Sequence, residues 1–532
     1  MKNRFLKIVV LVSLFVLNFS NTGFGNSDYD ICIYGATSSG VIAAYTASKM
    51  GKSVVLIASD DHIGGLSSGG LGHTDIGNKQ VIGGNSRDFY KQLGKVYGED
   101  ETWQFEPRAA LQVFHDYLAE EEIPVIFNKR IKSVVKEGTQ IRSVVLVNTY
   151  GLTFKKKSVS AKVFLDCTYE GDLLALAGIS YTIGRESNDV YDETLNGYQL
   201  PEYRQMSGYH QFPDGVSPYV VPSDSTSGLL WGISDDEPSQ TGAGDKLVQA
   251  YNFRICLTDS VENMIPITKP AGYNPKKYEL LARLFEAQPN DRAITNYFIW
   301  TRMPNRKTDV NNRGAFSTDM IGANHDWAEA NFKERKRIFE EHLTYTKGLL
   351  YFYVSDKRVP DTLRNFVSQW GYPKDEYVDN EHFTPQLYIR EGRRMIGEYV
   401  MTEHNCVGTV IVDDPVGMAA YKMDSHNVQR IVVNGMVKNE GNVEVGEFKP
   451  YPISFRAITP KRTECTNLVV PVSLSSSHIA FGSIRMEPVF MVLGQSAAVV
   501  AAHAINEGKA VQEIDYVHLR NTLEQQGQIL QY

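Results

Sequence analysis

The stretch from Asp30 to Ala58 constrains this chain most. An apolar run, Asp30-Ile31-Cys32-Ile33-Tyr34, leads into the turn Gly35-Ala36-Thr37-Ser38-Ser39-Gly40. A helix of small apolar residues follows from Val41 to Met50, Gly51-Lys52 stops it, and a second apolar run covers Ser53 to Ala58. Short apolar runs on either side of such a helix predict two buried parallel strands with a crossover between them. Gly35 permits the sharp bend and Gly40 the close contact of helix with strand. The free N–H groups at the helix start suit a diphosphate. The pattern departs from the full fingerprint twice: Thr37 stands where a middle glycine is usual, and Ala58 where an acid would hold ribose hydroxyls. Ser59 or Asp60 is the candidate replacement for that acid.

Directly after the second strand comes the glycine-rich run Ile63-Gly64-Gly65-Leu66-Ser67-Ser68-Gly69-Gly70-Leu71-Gly72, suited to backbone lying against a flat ligand. Arg108 to Glu121 reads as a helix and Pro124 to Asn128 as a strand. Ile131–Val135, Ile141–Val147 and Leu152–Val159 read as an antiparallel meander turning at Glu137-Gly138-Thr139. Val163 to Asp166 then returns to the parallel sheet, and Tyr169-Glu170-Gly171-Asp172 opens the next helix. A Rossmann-like unit interrupted by a meander is a flavoprotein arrangement. Residues 187–450 turn aromatic-rich, with amphipathic helices at Trp327–Thr346 and Thr362–Trp370, and read as an inserted mixed α+β substrate domain. Residues 451–532 return to a strand from Leu468 and an Ala-rich helix opening near Leu493-Gly494. The expected architecture is α/β: a dinucleotide-binding domain of residues 26–186 completed by 451–532, with residues 187–450 inserted.

The first 25 residues stand apart. Lys2, Arg4 and Lys7 precede an apolar run from Ile8 to Phe19, too short to span a bilayer, and Gly23-Phe24-Gly25 offers a small-x-small cleavage site. This predicts a signal peptide and a periplasmic or secreted protein without stable membrane insertion. The 62 acidic and 54 basic side chains give a formal charge of −8, which argues against a nucleic-acid partner. Five dispersed cysteines predict buried thiols and no metal site.

Several segments together resemble a known family. They are Gly35-Ala-Thr-Ser-Ser-Gly40, His62-Ile-Gly-Gly-Leu-Ser-Ser-Gly-Gly-Leu-Gly72, Asp166-Cys-Thr-Tyr-Glu-Gly-Asp172, Ala250-Tyr-Asn-Phe-Arg-Ile-Cys-Leu257 and Ser477-His-Ile-Ala-Phe-Gly-Ser-Ile-Arg-Met-Glu-Pro488. The chain resembles the FAD-dependent oxidoreductases abundant in Bacteroidota, sometimes labelled xanthan lyase-like, over nearly its whole length past the leader. The resemblance implies a glutathione-reductase-type FAD fold related to the fumarate reductase flavoproteins, with FAD as cofactor; it does not imply a known substrate, and the small-molecule expectation, a sugar or sugar acid, comes from the resemblance of such proteins to accessory members of polysaccharide-utilisation systems. Carried over, Gly35, Thr37 and Gly40 face the diphosphate, and Gly64 and Gly65 the flavin side. Asp166, Gly171 and Asp172 face the ribityl-pyrophosphate region. Gly494, Gln495 and Ser496 bring a helix N-terminus to the flavin ring, where its partial positive charge stabilises reduced flavin.

Oxidising a C–H bond on a flavin needs a base for the neighbouring proton and cations to orient the substrate. His478, Arg485 and His73 are the candidates that topology brings towards one ring. Arg390, Arg393 and Arg394 fall in a stretch read as helical, with Arg390 and Arg394 on one ion-paired face. His404 and the polar loop Asn311–Asp319 are secondary candidates. HExxH and P-loop motifs are missing, and there is no second glycine-rich βαβ turn for NAD(P)H. Electrons therefore leave to oxygen, a quinone or another protein. The competing readings are an oligosaccharide lyase on a dinucleotide-fold scaffold and a catalytically silent flavin-binding module.

Overall fold

The computed structural model describes residues 27–151, 156–199 and 210–532. The leader expected at residues 1–25 and residues 152–155 of the third meander strand lie outside the described residues. β1 (Tyr29–Tyr34) and β2 (Val54–Ile57) are parallel, in register from Ile31↔Val54 to Tyr34↔Ile57, with α1 (Ser38–Lys49) crossing between them. Covered on both faces, their inner residues are apolar without alternation and fully buried. After α2 (Gly65–Ser68), α3 (Gly84–Tyr97) and α4 (Pro107–Glu120), β3 (Val125–Ile126) joins the far side of β2.

β4 (Lys129–Glu137) and β5 (Gln140–Asn148) form a hairpin. β6 (Lys157–Asp166) is one continuous strand where the sequence suggests two. Its first part pairs antiparallel with β5 and its last residues run parallel to β1, as in Ile33↔Leu165. The short strand Leu468–Val469 pairs parallel with β6, so the two ends of the chain complete one sheet. Pro471, which has no N–H to donate, follows where pairing stops.

The long C-terminal helix spans Glu487–Glu507, with Pro488 in its first turn. It packs along α1, and a Cβ on Gly494 would stand 2.4 Å from the Ser39 carbonyl oxygen. Gly494 is thus a mid-helix contact, and the expectation that Gly494, Gln495 and Ser496 open this helix is corrected. The physical marker of the start is Pro488, whose fixed φ and missing N–H suit a first turn.

The inserted region carries an antiparallel five-stranded sheet in the order Phe298–Met303, Lys307–Asn312, Ile255–Thr258, Gly371–Pro373, Met264–Pro266, backed by helices Phe332–Ser355 and Asp361–Val367. One contiguous apolar cluster runs from Val41 in α1 to Leu349 in the 332–355 helix, so the insertion shares the core of the dinucleotide-binding region. The 332–355 helix begins later than the sequence suggests because the Asn331 side chain accepts from the Glu334 N–H at 3.1 Å and caps it. The stretch around Arg390 is extended rather than helical. Gly392 lies against β6's following turn, where a Cβ would come within 2.8 Å of the Tyr169 carbonyl oxygen, and Arg394–Met395 pairs with Tyr181–Thr182.

Candidate functional site

The dinucleotide turn is built by close backbone approach. Gly35 has φ +102°, and a Cβ there would come within 2.7 Å of Cys167 backbone; one on Gly40 would stand 1.9 Å from the Gly35 carbonyl oxygen. Thr37 caps α1: its hydroxyl accepts from the Gly40 N–H at 3.3 Å and donates to the Cys167 carbonyl at 2.7 Å. Its side chain is turned down against the end of β6, so the threonine does not crowd the upper face of the turn. Gly64, at φ +88°, donates its N–H to the Ala36 carbonyl at 2.7 Å, and Gly65 lies under the Tyr169 ring. Both sit beside the α1 N-terminus. Gly69, Gly70 and Gly72 are packed against Gln386, Thr384 and Met303, so close protein packing accounts for these three.

At the carboxyl ends of β2 and β3 a groove of about 310 Å³ is lined by Asp61, Phe127, Asn128, Lys129, Asn148 and Tyr150. This is the place for the adenosine half of a dinucleotide in such a sheet. Phe127 and Tyr150 are both exposed aromatic rings there. Asp60 instead accepts from the His62 N–H at 2.9 Å and holds the loop; the acid lining the groove is Asp61.

Asp166, Gly171 and Asp172 do structural work. The buried Asp166 carboxylate accepts from the N–H groups of Thr168 and Leu174 and from the Thr168 hydroxyl, shaping the turn before the helix Asp172–Leu176. Burial pushes its pKa up to about 6. Gly171 supplies positive φ (+67°) in that turn. Asp172 points away from the dinucleotide turn and takes Arg335 at 2.6 and 2.8 Å and Arg393 at 2.8 Å, tying the 332–355 helix to the sheet. Gln495 accepts from the Asn85 N–H at 2.8 Å, and Ser496 donates to the Val416 carbonyl at 2.5 Å; both are packing contacts.

Glu487, the first residue of the C-terminal helix, reaches the start of α1. It accepts from Ser38 at 2.6 Å, Ser67 at 2.7 Å and Tyr169 at 2.7 Å, and burial raises its pKa above the ordinary carboxylate value despite those donors. It was not singled out in the sequence, although the neighbouring Pro488 marks the helix start.

Immediately before that helix, Arg485 enters a buried polar cluster where the insertion meets the sheet. Arg485 Nη1 donates to the Tyr388 hydroxyl at 2.6 Å and Nη2 to the Asp424 carbonyl at 2.9 Å. Arg390 and Arg485 lie 4.7 and 5.5 Å from the Tyr388 ring centre. Arg390 Nη2 is 2.9 Å from Asp319, whose other oxygen is 2.7 Å from His426 Nδ1. Burial works to raise the Asp319 pKa, but Arg390 and His426 outweigh it and hold the carboxylate below its ordinary value. His426 Nε2 lies 3.6 Å from Asp424. His426 is partly exposed, whereas Asp319 and Arg390 are fully buried. A histidine oriented by a buried carboxylate beside two arginines is the constellation that can move a proton and hold a polar substrate.

Of the predicted catalytic residues, the structure brings Arg485 into this cluster. His478 lies one layer behind it with both ring nitrogens engaged, Nδ1 on Glu391 at 2.7 Å and Nε2 on the Ser425 hydroxyl at 2.9 Å. Burial pushes its pKa down to about 3. It positions Ser425, next to His426, and the assignment of His478 as a base is corrected on that ground. His73 is held by its backbone: its N–H donates to Asp309 at 2.9 Å, its carbonyl accepts from Arg254 at 3.1 Å, and its ring meets Gln104 at 2.8 Å outside the cluster. His404 bonds the Asp192 carbonyl at 2.8 Å, away from the site. His426 and Asp319 were missed as a pair; the signal was the alternation of Asp424 and His426 along an extended segment.

The family model described as FAD dependent oxidoreductase matches residues 30–523. The chain belongs to the FAD dependent oxidoreductase family. FAD is the cofactor of this family member, and the role is flavin redox chemistry. The residues fit it: a βαβ turn whose glycines admit no Cβ, and an aromatic-flanked groove at the adenosine end. No curated relative matches. Among solved structures the chain is similar to OxyS anhydrotetracycline hydroxylase from Streptomyces rimosus, at 11% identity over 30% of this chain and 35% of that one, with a TM-score of 0.24. It is also similar to Thermovibrio ammonificans THI4, at 17% identity over 30% and 66%, with a TM-score of 0.24. A flavoprotein/dehydrogenase from Cytophaga hutchinsonii gives 14% identity over 28% and 42%, with a TM-score of 0.22. The chain thus spans about a third of the length of the hydroxylase, and these partial likenesses carry no statement about activity.

Proposed function

We propose that this family member is an exported enzyme that transfers a hydride between FAD and a small polar, carbohydrate-derived substrate, as an accessory to polysaccharide degradation. The observation that carries the proposal is the His426–Asp319 pair beside Arg485, the residue two positions before the C-terminal helix. FAD, when bound, supplies the hydride acceptor. His426, oriented through Nδ1 by Asp319, takes the substrate hydroxyl proton at Nε2, and the Asp319 carboxylate stabilises the imidazolium that forms. Arg390, Arg485 and Tyr388 orient the substrate oxygens. The basic residues and apolar run of the first 25 residues support export, and the single glycine-rich βαβ turn supports an electron acceptor other than a bound nicotinamide. The test is anaerobic mixing of the flavin-loaded protein with a panel of sugars, uronates and aldonates. At least one member should bleach the flavin, and His426→Gln should keep its flavin yet slow bleaching by 100-fold or more. No bleaching by any member, or wild-type rates in His426→Gln, would overturn the reading.

A further inference from the structure

The chain buries several arginines, and their partners set one apart. Arg185 pairs with Asp245 and Glu440, Arg254 with Asp309 and Asp75, and Arg394 with Glu391 and Glu186, two carboxylates each. Arg430, on the strand Gln429–Val433, is 1% exposed and has no carboxylate in ion-pair contact among the described residues; the polar side chain its guanidinium faces is the Tyr345 hydroxyl. It lies 4.7 Å from the Phe316 ring centre, and burial pushes its pKa below the ordinary guanidinium value. A buried charge without a counter-charge in contact is costly enough that folds rarely keep one without a use. The carboxylate whose field reaches Arg430 is Asp319, already engaged by Arg390 and His426. Arg390 and Arg485 thus have carboxylates of their own in Asp319, Asp424 and Asp75, whereas Arg430 shares Asp319 with Arg390. Beside them Asn252 donates to Thr318 at 2.9 Å while its side-chain oxygen is buried and unpartnered.

We propose that Arg430, with Arg390, is the receptor for a carboxylate on the substrate, and that the substrate is a hydroxy acid such as a sugar acid, not a neutral sugar. A planar guanidinium fork matches a carboxylate with two parallel hydrogen bonds. Asn252 takes a neighbouring substrate hydroxyl. This inference rests on the hydride-transfer reading above, but its test reads binding separately.

The flavin-loaded full-length protein is titrated with D-glucuronate, acetate and D-glucose while the flavin absorption band is recorded, and anaerobic reduction is followed in parallel. D-glucuronate or acetate should perturb the band saturably, and D-glucose should not. Arg430→Met should weaken that response at least tenfold while leaving the melting midpoint unchanged or higher, because it removes an uncompensated buried charge; a structural arginine would give the opposite pair of results. Arg430→Lys, which keeps the charge without the fork, should retain part of the response and serves if the methionine variant does not fold. An equal response to glucose, no response to either anion, or an undiminished response in both variants would overturn the inference. Anion binding without reduction by any panel member would sink the hydride-transfer reading alone; reduction by neutral sugars without an anion response would sink only this one.

Discussion

The dinucleotide turn meets Glu487 and the junction cluster meets Arg485, two residues earlier, yet the two regions are built on opposite principles. The turn works through missing side chains: Gly35, Gly40 and Gly494 bring backbones into contact so that helix starts converge. The cluster works through polar and charged side chains from segments far apart in sequence, namely Asp319, Arg390, Asp424, His426 and Arg485, buried or partly buried and paired with one another. A backbone device tolerates almost no substitution but discriminates little between ligands. A side-chain device tolerates change in the fold and loses chemistry instead.

The sharpest way to break this contrast is Gly40→Ala. Its Cβ would stand 1.9 Å from the Gly35 carbonyl oxygen, so α1 must move off β1. We expect a destabilisation of about 3 kcal/mol or more, read by chemical denaturation, together with loss of copurified flavin. The matching change in the cluster, Asp319→Asn, should keep the flavin bound while lowering the melting midpoint, because Arg390 loses its buried partner. It should slow anaerobic flavin reduction by roughly 10² to 10⁴, because His426 loses the charge that orients it and stabilises its protonated form. If Asp319→Asn instead loses flavin, the two regions are not separable.

The same division explains what the sequence reveals. The βαβ turn, the meander and the C-terminal helix are legible because their signals are local: apolar runs, glycine spacing and small-residue periodicity. The helix start was misplaced by two turns because glycine at position 494 was weighed above Pro488. The cluster is illegible because its members lie on separate segments, and only burial shows that Arg390 and Arg394 are ion-paired inside the fold rather than along a helix face. His478 stands out as a histidine in a motif, but one residue type cannot tell a base from a buried spacer. Its environment does: Glu391 and Ser425 satisfy both ring nitrogens.

That placement gives a pH prediction. A histidine held at about 3 against an ordinary 6.5 is neutral in the folded protein but protonates on unfolding. Its stabilisation is fully present above pH 6.5 and is lost as pH falls towards 3. Between pH 6.5 and 5 the wild type should lose about 2 kcal/mol from this group. His478→Asn should flatten that limb in urea titrations, and the pH profile of flavin reduction should keep its shape.

The smallest effect returns to the turn. Thr37→Ala removes the hydroxyl that accepts from the Gly40 N–H and donates to the Cys167 carbonyl, while keeping a Cβ. An N-cap loss of this kind costs about 1 kcal/mol, plus a fraction for the second bond. Thr37→Ser retains both bonds and should be near wild type. Thr37→Gly restores the missing glycine of the fingerprint but removes the cap. If Thr37→Gly bound FAD more tightly than Thr37→Ser, the threonine methyl would be crowding the diphosphate. Equal affinity with lower stability is the outcome expected for a side chain turned towards β6, and it would show that hydroxyl capping here replaces the close approach a glycine usually permits.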